Sequence, residues 1–443
     1  MNVVFFGFKH TGLAFLDNKQ ADGLKNAEVK ALDILLNITG ASIGRVTLAP
    51  KSLEGARVNQ HVCIIRPNEA LEPRFLNAYF SSPAMQSRIW ADNYGVTRQA
   101  LTKQQILDFE IPLAPLPEQK RIADKLDATL ARVDVCRERL ARVAPILKRF
   151  RQSVLAAAVS GRLTADWRAQ QAGGDNIPLT KESPAHPAVI EPASGHQAQT
   201  RSPDAMQWQS CKISEAGRVQ LGRQRSPKFH SGKNMRPYLR VQNVFEDRLD
   251  LSDIMEMDFP GEDYDRYRLH VGDILLNEGQ SPQFLGRPAM YKGEPPDCCF
   301  TNTLIRFQAY PHVKPEFALL VFRHQMHSGR YIEEGTITTN IAHLGAGRFS
   351  NVEFPLPPIA EQHEIVRRVE SLFAFADRLE ARLAAAQTAT EQLTPALLAK
   401  AFRGELVPQD PADEPASELL QRLAASRTSA AKPKRPRTPR QPA

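Results

Sequence analysis

The chain has 443 residues, 42% of them hydrophobic and 24% charged, the make-up of a folded globular protein too long for one ordinary core. A formal charge of +8 favours an anionic partner such as nucleic acid, although part of the excess lies in a basic tail from Lys432 to Arg440. No run reaches the roughly 18 apolar residues of a membrane span. The N-terminal MNVVFFGFKHTG lacks a signal-peptide pattern, and the five cysteines form no CxxC pair and suit a reducing cytosol.

In chain order, apolar runs such as Val62 to Ile65 are bounded by turn residues and read as strands, and Pro73 to Phe80 reads as a helix begun by proline. From Pro117 the pattern turns helical. Ile122, Thr129, Cys136, Val143 and Phe150 form one heptad row, and Leu126, Val133, Leu140, Leu147 and Val154 form a second, together the seam of a coiled coil. Pro145 is expected to break or kink this helix near its far end. Ala169 to Pro203 has no periodicity and reads as a linker. A strand (Asp273 to Leu276) and a proline-led helix (Pro315 to Phe322) then return. A second seam follows, with Ile365, Leu372, Leu379, Ala386 and Leu393 in one row and Val369, Ala376, Leu383, Thr390 and Leu397 in the other, and Pro395 near its end. Beyond Pro408 the chain is rich in Pro and Ala, with a helical piece at Ala416 to Leu423 and a basic end.

One unit is used twice. LDILLN (Leu32 to Asn37) matches GDILLN (Gly272 to Asn277), Gly44-Arg45 matches Gly286-Arg287, and Pro73-Arg74-Phe75 matches Pro315-Glu316-Phe317. IPLAPLPEQKRI (Ile111 to Ile122) matches FPLPPIAEQHEI (Phe354 to Ile365), Asp134 falls on Asp377, and Gly161-Arg162-Leu163 falls on Gly404-Glu405-Leu406. The fold class expected is α+β: two tandem mixed α/β domains separated by long helices that pair as an antiparallel coiled coil, with a pseudo-twofold internal repeat. A single heptad run equally describes a helix packed on its own domain; two runs in one register favour pairing. Pro117 to Ala144 spans about 42 Å, near one turn of B-DNA at about 34–36 Å. Two similar but non-identical domains on such a spacer suit a two-part, asymmetric duplex site.

No catalytic signature is present. Glu294-Pro295-Pro296-Asp297 lacks both ends of an amino-methyltransferase motif, and Gly40-xxx-Gly44-Arg45 is not a phosphate loop. His324 and His327 read as a helix surface, and Cys298-Cys299 as buried packing. For DNA, the segment LGRQRSPKFHSGK (Leu221 to Lys233) carries Arg223, Arg225, Lys228 and Lys233 to neutralise phosphates or read base edges; a solvated charged loop is the alternative. GVTRQALTKQQ (Gly95 to Gln105) and GTITTNIAHLGAGR (Gly335 to Arg348) occupy equivalent places. They offer Arg98, Gln99, Lys103, Thr338, Thr339 and Asn340 as donors, with capping of the following helix the rival for the last three. Arg45 and Arg287 read as phosphate contacts or structural ion pairs, and Asn37 and Asn277 as turn formers or DNA contacts.

APLPEQKRIADKLD (Ala114 to Asp127) and PLPPIAEQHEIVRRVE (Pro355 to Glu370), with LLNITGASIGRV, VNQHVCIIRP and GRYIEEGTITTNI, resemble the specificity subunits of type I restriction–modification enzymes over most of the chain. The resemblance implies a first target-recognition domain at 1–116, a helical spacer at 117–168, a linker at 169–205, a second target-recognition domain at 206–358, a second spacer at 359–407 and a disordered basic tail at 408–443. It implies a non-catalytic, cytoplasmic subunit that reads a bipartite site in double-stranded DNA and has no membrane partner. Two modification subunits would methylate adenine with S-adenosylmethionine, and restriction subunits would translocate and cut DNA with ATP and Mg, leaving no cofactor on this chain. The spacer starts would dock the modification subunits, through Pro117, Glu118, Gln119 and Ile122 in one copy and Pro358, Glu361, Gln362 and Ile365 in the other. A degenerate or purely structural coiled-coil scaffold is the alternative. The first domain departs from the pattern: Met1-Asn2-Val3 aligns with Gln242-Asn243-Val244. The segment from Met206 to Val241 therefore has no counterpart, and the first domain is expected to lack its start and the equivalent of the Gly222 to Lys233 loop.

Overall fold

The computed structural model describes residues 2–91, 100–172, 208–338 and 341–430. They form two compact units, residues 1–142 with 383–443 and residues 143–382, so each unit holds one β-rich domain and one half of each long helix.

The first unit opens on a hairpin of β1 (Val3–Val4) and β2 (Gly7–Phe8), followed by α1 (Asn18–Gly23), whose start is closed by a reciprocal Asp17–Gln20 cap. Next come β3 (Ile34–Asn37), β4 (Val46–Leu48) and β5 (Val62–Ile65), an antiparallel sheet in the order β4-β3-β5. Strand alternation divides ILLN between two cores. Ile34 and Leu36 pack with Leu76, Phe80, Met85 and Ile89, while Leu35 packs with Val3, Val29 and Leu53. The helices supplying the first core are α2 (Pro73–Phe80) and α3 (Pro83–Ala91); α4 (Lys103–Leu107) follows, capped by Thr102 with Gln105.

Two helices link the domains in sequence, α5 (Leu116–Val159) and α6 (Ala165–Ala172), with Gly161 left-handed between them. The second unit continues with β6 (Gln209–Lys212), α7 (Ile213–Ala216), β7 (Gly217–Leu221), β8 (Met235–Leu239), the hairpin β9 (Val244–Phe245) and β10 (Arg248–Leu249), β11 (Met255–Asp258) and α8 (Glu262–Tyr267). Then come β12 (Ile274–Asn277), β13 (Gly279–Gln280), β14 (Pro288–Met290), β15 (Cys299–Phe300), β16 (Leu304–Ala309), α9 (Pro315–His327), α10 (Arg330–Glu334), β17 (Thr336–Thr338), β18 (Ile341–His343), α11 (Ala346–Asn351) and β19 (Glu353–Leu356). The main sheet runs β14-β12-β16-β7, and a second sheet runs β11-β8-β15. Its ILLN strand divides as in the first unit: Ile274 and Leu276 enter the large core with Phe307, Phe317 and Phe354, and Leu275 enters the core of Leu239 and Phe300. The order β14-β12-β16 repeats β4-β3-β5. Among the described residues β5 pairs with β3 alone and is half-buried, whereas Leu304 to Phe307 at the start of β16 are fully buried beside β7.

The chain closes with α12 (Ile359–Phe402) and α13 (Ala416–Ala430). Neither proline ends its helix. Pro145 lies inside α5 and Pro395 inside α12, each helix running 44 residues, about 66 Å of rise. The expectation of a break is therefore corrected, and with it the one-turn spacer estimate made on Pro117 to Ala144. An interior proline costs roughly 3 kcal/mol, but burial of Leu147, Val154, Leu155 and Ala158 beyond Pro145, and of Leu398 and Ala401 beyond Pro395, holds the far ends helical. Within each unit the helices run antiparallel along the heptad seam. In the first, Ile122 and Leu126 pack with Leu398 and Ala401, and Arg137 donates to Thr394 at 2.9 Å. In the second, Arg151 meets Asp377 at 2.6 Å and Glu380 at 3.1 Å, while Thr164 donates to Glu361 at 2.6 Å. Two seam positions are exposed, Cys136 and Leu393.

The segment expected as a disordered tail is folded on the first unit as far as α13. Asp413 forms a bidentate pair with Arg121 at 2.6 and 3.2 Å, and Leu419 is buried. The basic stretch Lys432 to Arg440 and most of the expected linker lie outside the described residues. Among the described residues no helix is long and apolar enough to cross a membrane.

Candidate nucleic-acid interface

The loop between β7 and β8 is pinned at both ends. A side chain at Gly222 would collide with the Thr301 carbonyl, and one at Gly232 with the Asp258 carboxylate, so the backbone approaches too closely for anything but glycine. Asn234 N–H donates to Asp258 at 2.7 Å, and a short 3-10 turn at Pro227–Phe229 stiffens the middle. Arg225, Lys228 and Lys233 are exposed on this frame.

Arg223 does a different job from the one its sequence position suggested. It is 6% exposed, with its guanidinium 3.7 Å from the Phe229 ring centroid and 5.1 Å from that of Phe259. It pairs with Asp263 at 2.8 Å and donates to the Asp258 carbonyl. A buried arginine stacked and paired in this way anchors the loop, its guanidinium engaged by Asp263 and the Asp258 carbonyl inside the domain.

Sequence reading missed a second group of cations that only the sheet brings together. Arg236 and Tyr238 share one face of β8, being two residues apart on a strand. Arg225 stacks on Tyr238 at 5.7 Å, Arg236 on Tyr264 at 4.7 Å, and Arg268 on the same Tyr264 at 5.5 Å. Tyr264 donates to Asp297 at 2.7 Å, and Asp297 also pairs with Arg268 at 3.1 Å. Burial and the Asp297 carboxylate push the Tyr264 phenol above its usual pKa, so it stays a donor. Arg225, Arg236 and Arg268 thus stand on one small core of Tyr238, Met257, Phe259 and Cys299. The signal in the sequence was arginine interleaved with aromatics, but its members come from three separate segments.

The remaining candidates separate. Arg45 and Lys103 are exposed. Arg287 lies between Phe245 at 4.6 Å and Phe284 at 5.2 Å, where burial lowers its pKa, and of the matched pair Arg45 is the more exposed. Asn37 and Asn277 are buried and close their turns, their carbonyls accepting from Gly44 at 2.9 Å and Gly286 at 3.0 Å. Helix α11 is begun by Gly345, so capping by Thr338, Thr339 or Asn340 is not its start. Arg98, Gln99, Thr339 and Asn340 lie outside the described residues, and so does the side chain of Thr338, whose backbone ends β17.

The spacer starts are locks. Gln119 accepts from Glu72 N–H at 2.9 Å and donates to the carbonyls of Ala70 at 3.1 Å and Ala114 at 2.8 Å. Gln362 repeats this set, accepting from Lys314 N–H at 2.7 Å and donating to His312 at 3.0 Å and Pro357 at 2.9 Å. Glu361 is buried and takes Thr164, Arg168 and the Trp208 indole at 3.0 Å. Glu118, Ile122 and Ile365 are buried as well. All six face the chain's own fold, and of the eight residues expected to dock a partner Pro117 and Pro358 are the exposed ones. These residues seat each β-rich domain on the first turn of its own spacer helix.

The family model for the type I restriction modification DNA specificity domain matches residues 13–144 and again 207–386. The chain belongs to that family. The two matches cover both copies of the repeat, each domain running on into its spacer helix. The chain is 33% identical over 393 residues to the type I restriction enzyme EcoBI specificity subunit of Escherichia coli, covering 85% of this chain and 76% of that one. It is 29% identical over 399 residues to the EcoKI specificity subunit of strain K12, covering 86% and 79%. In fold it is similar to the HsdS subunit from Thermoanaerobacter tengcongensis, with a TM-score of 0.54, 21% identity and coverage of 85% and 82%. A chain from a structure of type I R-M system complex assembly gives a TM-score of 0.59, with 20% identity and coverage of 85% and 83%. Membership of this specificity family supports the DNA-reading expectation and leaves the pure scaffold without support.

Proposed function

We propose that this specificity subunit reads a bipartite, asymmetric DNA site, one part with each β-rich domain, and leaves the chemistry to partner subunits. The observation that carries the reading is the duplicated lock: Gln119 and Gln362 seat two similar domains on two similar helices with the same three hydrogen bonds. The domains differ where bases would be read, so the two half-sites differ. In the second domain Arg225, Lys228, Lys233, Arg236 and Arg268 meet the duplex, the first three by phosphate neutralisation and the stacked pair at base edges. In the first, Arg45 and Lys103 take the phosphate role.

The partners in this reading are two modification subunits carrying S-adenosylmethionine, and restriction subunits carrying ATP and Mg, assembled in the cytoplasm. The test is mapping of adenine methylation across the host genome with and without this gene. Loss of methylation at a two-part motif is the expected result. An unchanged methylation map overturns the reading.

A further inference from the structure

The two copies of the repeat differ in charge at one corner, where the first hairpin of each domain meets the helix after its sheet and the spacer pair of the same unit. In the second unit the hairpin loop is Glu246-Asp247, and it is closed by charge. Arg323 reaches Glu246 at 3.0 Å and Asp247 at 2.9 Å, and His327 reaches Glu246 at 2.9 Å. Arg151 is held by Asp377 and Glu380, and both Arg151 and Arg323 lie 5.1 Å from the Phe373 ring centroid. Burial opposes the Glu246 charge, but the His327 hydrogen bond and the Arg323 guanidinium outweigh it and hold its carboxyl below the usual range.

In the first unit the same positions hold Phe5 and Phe6 for Glu246 and Asp247, Ser81 for Arg323, Thr394 for Arg151, Arg137 for Glu380 and Leu130 for Phe373. The charged closure is gone and an open cleft of about 610 Å³ stands in its place, lined by Phe5, Phe6, Pro83, Leu130, Thr394 and Pro395 among others. Phe5 is 45% and Phe6 40% exposed. Phe6 sits at φ 55, where Asp247 sits at φ 59. Aspartate tolerates that left-handed region, whereas a bulky ring there is a true outlier whose strain must be held by something else. Phe5 and Phe6 belong to neither core of their domain.

We propose that this corner of the first unit is a docking socket for a modification subunit, and that its counterpart in the second unit, a smaller cleft of about 330 Å³ beside Gln152, His324 and His327 that no phenylalanine lines, is a poorer one, so the two modification subunits bind unequally. The occupant is an apolar segment with a flanking lysine or arginine. Its apolar side chains cover Phe5, Phe6 and Leu130, and its cation meets Glu391, which lines the same cleft. A phosphodiester does not fit: the one cation in the cleft, Arg137 among the described residues, is already engaged by Asp134 and Thr394 at 2.9 Å each. The inference rests on the partner reading given under Proposed function.

The experiment titrates the full chain with purified modification subunit, reading stoichiometry by native mass spectrometry and affinity by ultracentrifugation. The main variant carries Phe5→Glu with Phe6→Asp, the loop of the second unit, and Phe6→Gly serves as a second variant that relieves the backbone strain while removing the ring. The expected result is two bound subunits for the unaltered chain, with one site unchanged and the other weakened at least about tenfold in both variants. Two unaltered sites in folded variants overturn the socket. Loss of duplex binding with both subunits retained also overturns it, and makes the corner a DNA contact. An unaltered chain that binds no modification subunit overturns the partner reading itself, and the socket with it.

Discussion

Replacing Gln362 by alanine tests whether the repeated start of the spacer is a lock or a docking surface. Gln362 is fully buried, and its amide serves Lys314 N–H, which opens α9, together with the carbonyls of His312 and Pro357. Truncation leaves three backbone groups without their partner. A buried polar group left unpaired costs about 1–3 kcal/mol. Water entering the vacated space lowers the total, which we place at about 3 kcal/mol. In a unit of this size that lowers the melting temperature by about 6–12 °C.

Calorimetry of the full chain reads the shift, and hydrogen exchange localises it to the peptides holding Lys314 and Pro357. Gln362→Glu is expected to be at least as damaging at neutral pH, because one carboxylate oxygen then faces two carbonyls. It recovers as the pH falls, since a protonated carboxyl can donate again. A Gln362→Ala chain that melts within about 1 °C of the original and exchanges normally at Lys314 refutes the lock. If that chain also fails to capture a modification subunit, the docking role returns.

The loop between β7 and β8 separates in the same manner. Arg225→Ala, Lys228→Ala and Lys233→Ala should each reduce the slope of log affinity against log salt by about 0.9 and leave melting unchanged. Arg223→Ala should instead lower the melting temperature; a stable Arg223→Ala chain with a reduced slope refutes its anchoring role. Glu364 is held down at about 2 by hydrogen bonds from Arg367 and Arg368, and Arg368 ties it to Asp166 at 2.6 Å. A carboxyl with a lowered folded pKa contributes stability above its ordinary value of 4.5 and loses it as pH falls towards about 2. Acid titration of stability should therefore be flatter in that window for Glu364→Gln, and identical acid limbs refute the pairing.

What is local or periodic in this protein was legible in the sequence. The ILLN strands, the proline-led helices, the heptad seam and the register of the two copies depend on neighbours along the chain and on fixed repeats of two and seven, which a single sequence displays. Tertiary packing decided the rest. Gln119 and Gln362 look like surface helix residues, and only the domain above each helix start turns them into locks. Arg223 and Arg225 are indistinguishable as loop arginines until Phe229, Phe259 and Asp263 close around one of them. Arg236 and Arg268 become neighbours only through Tyr264, from another segment. Pro145 and Pro395 obey the local rule for ending a helix, but burial of the residues beyond them outweighs that cost. The same reason underlies each case: the deciding partner is far away in the chain, so its energy cannot be read from the residues beside it.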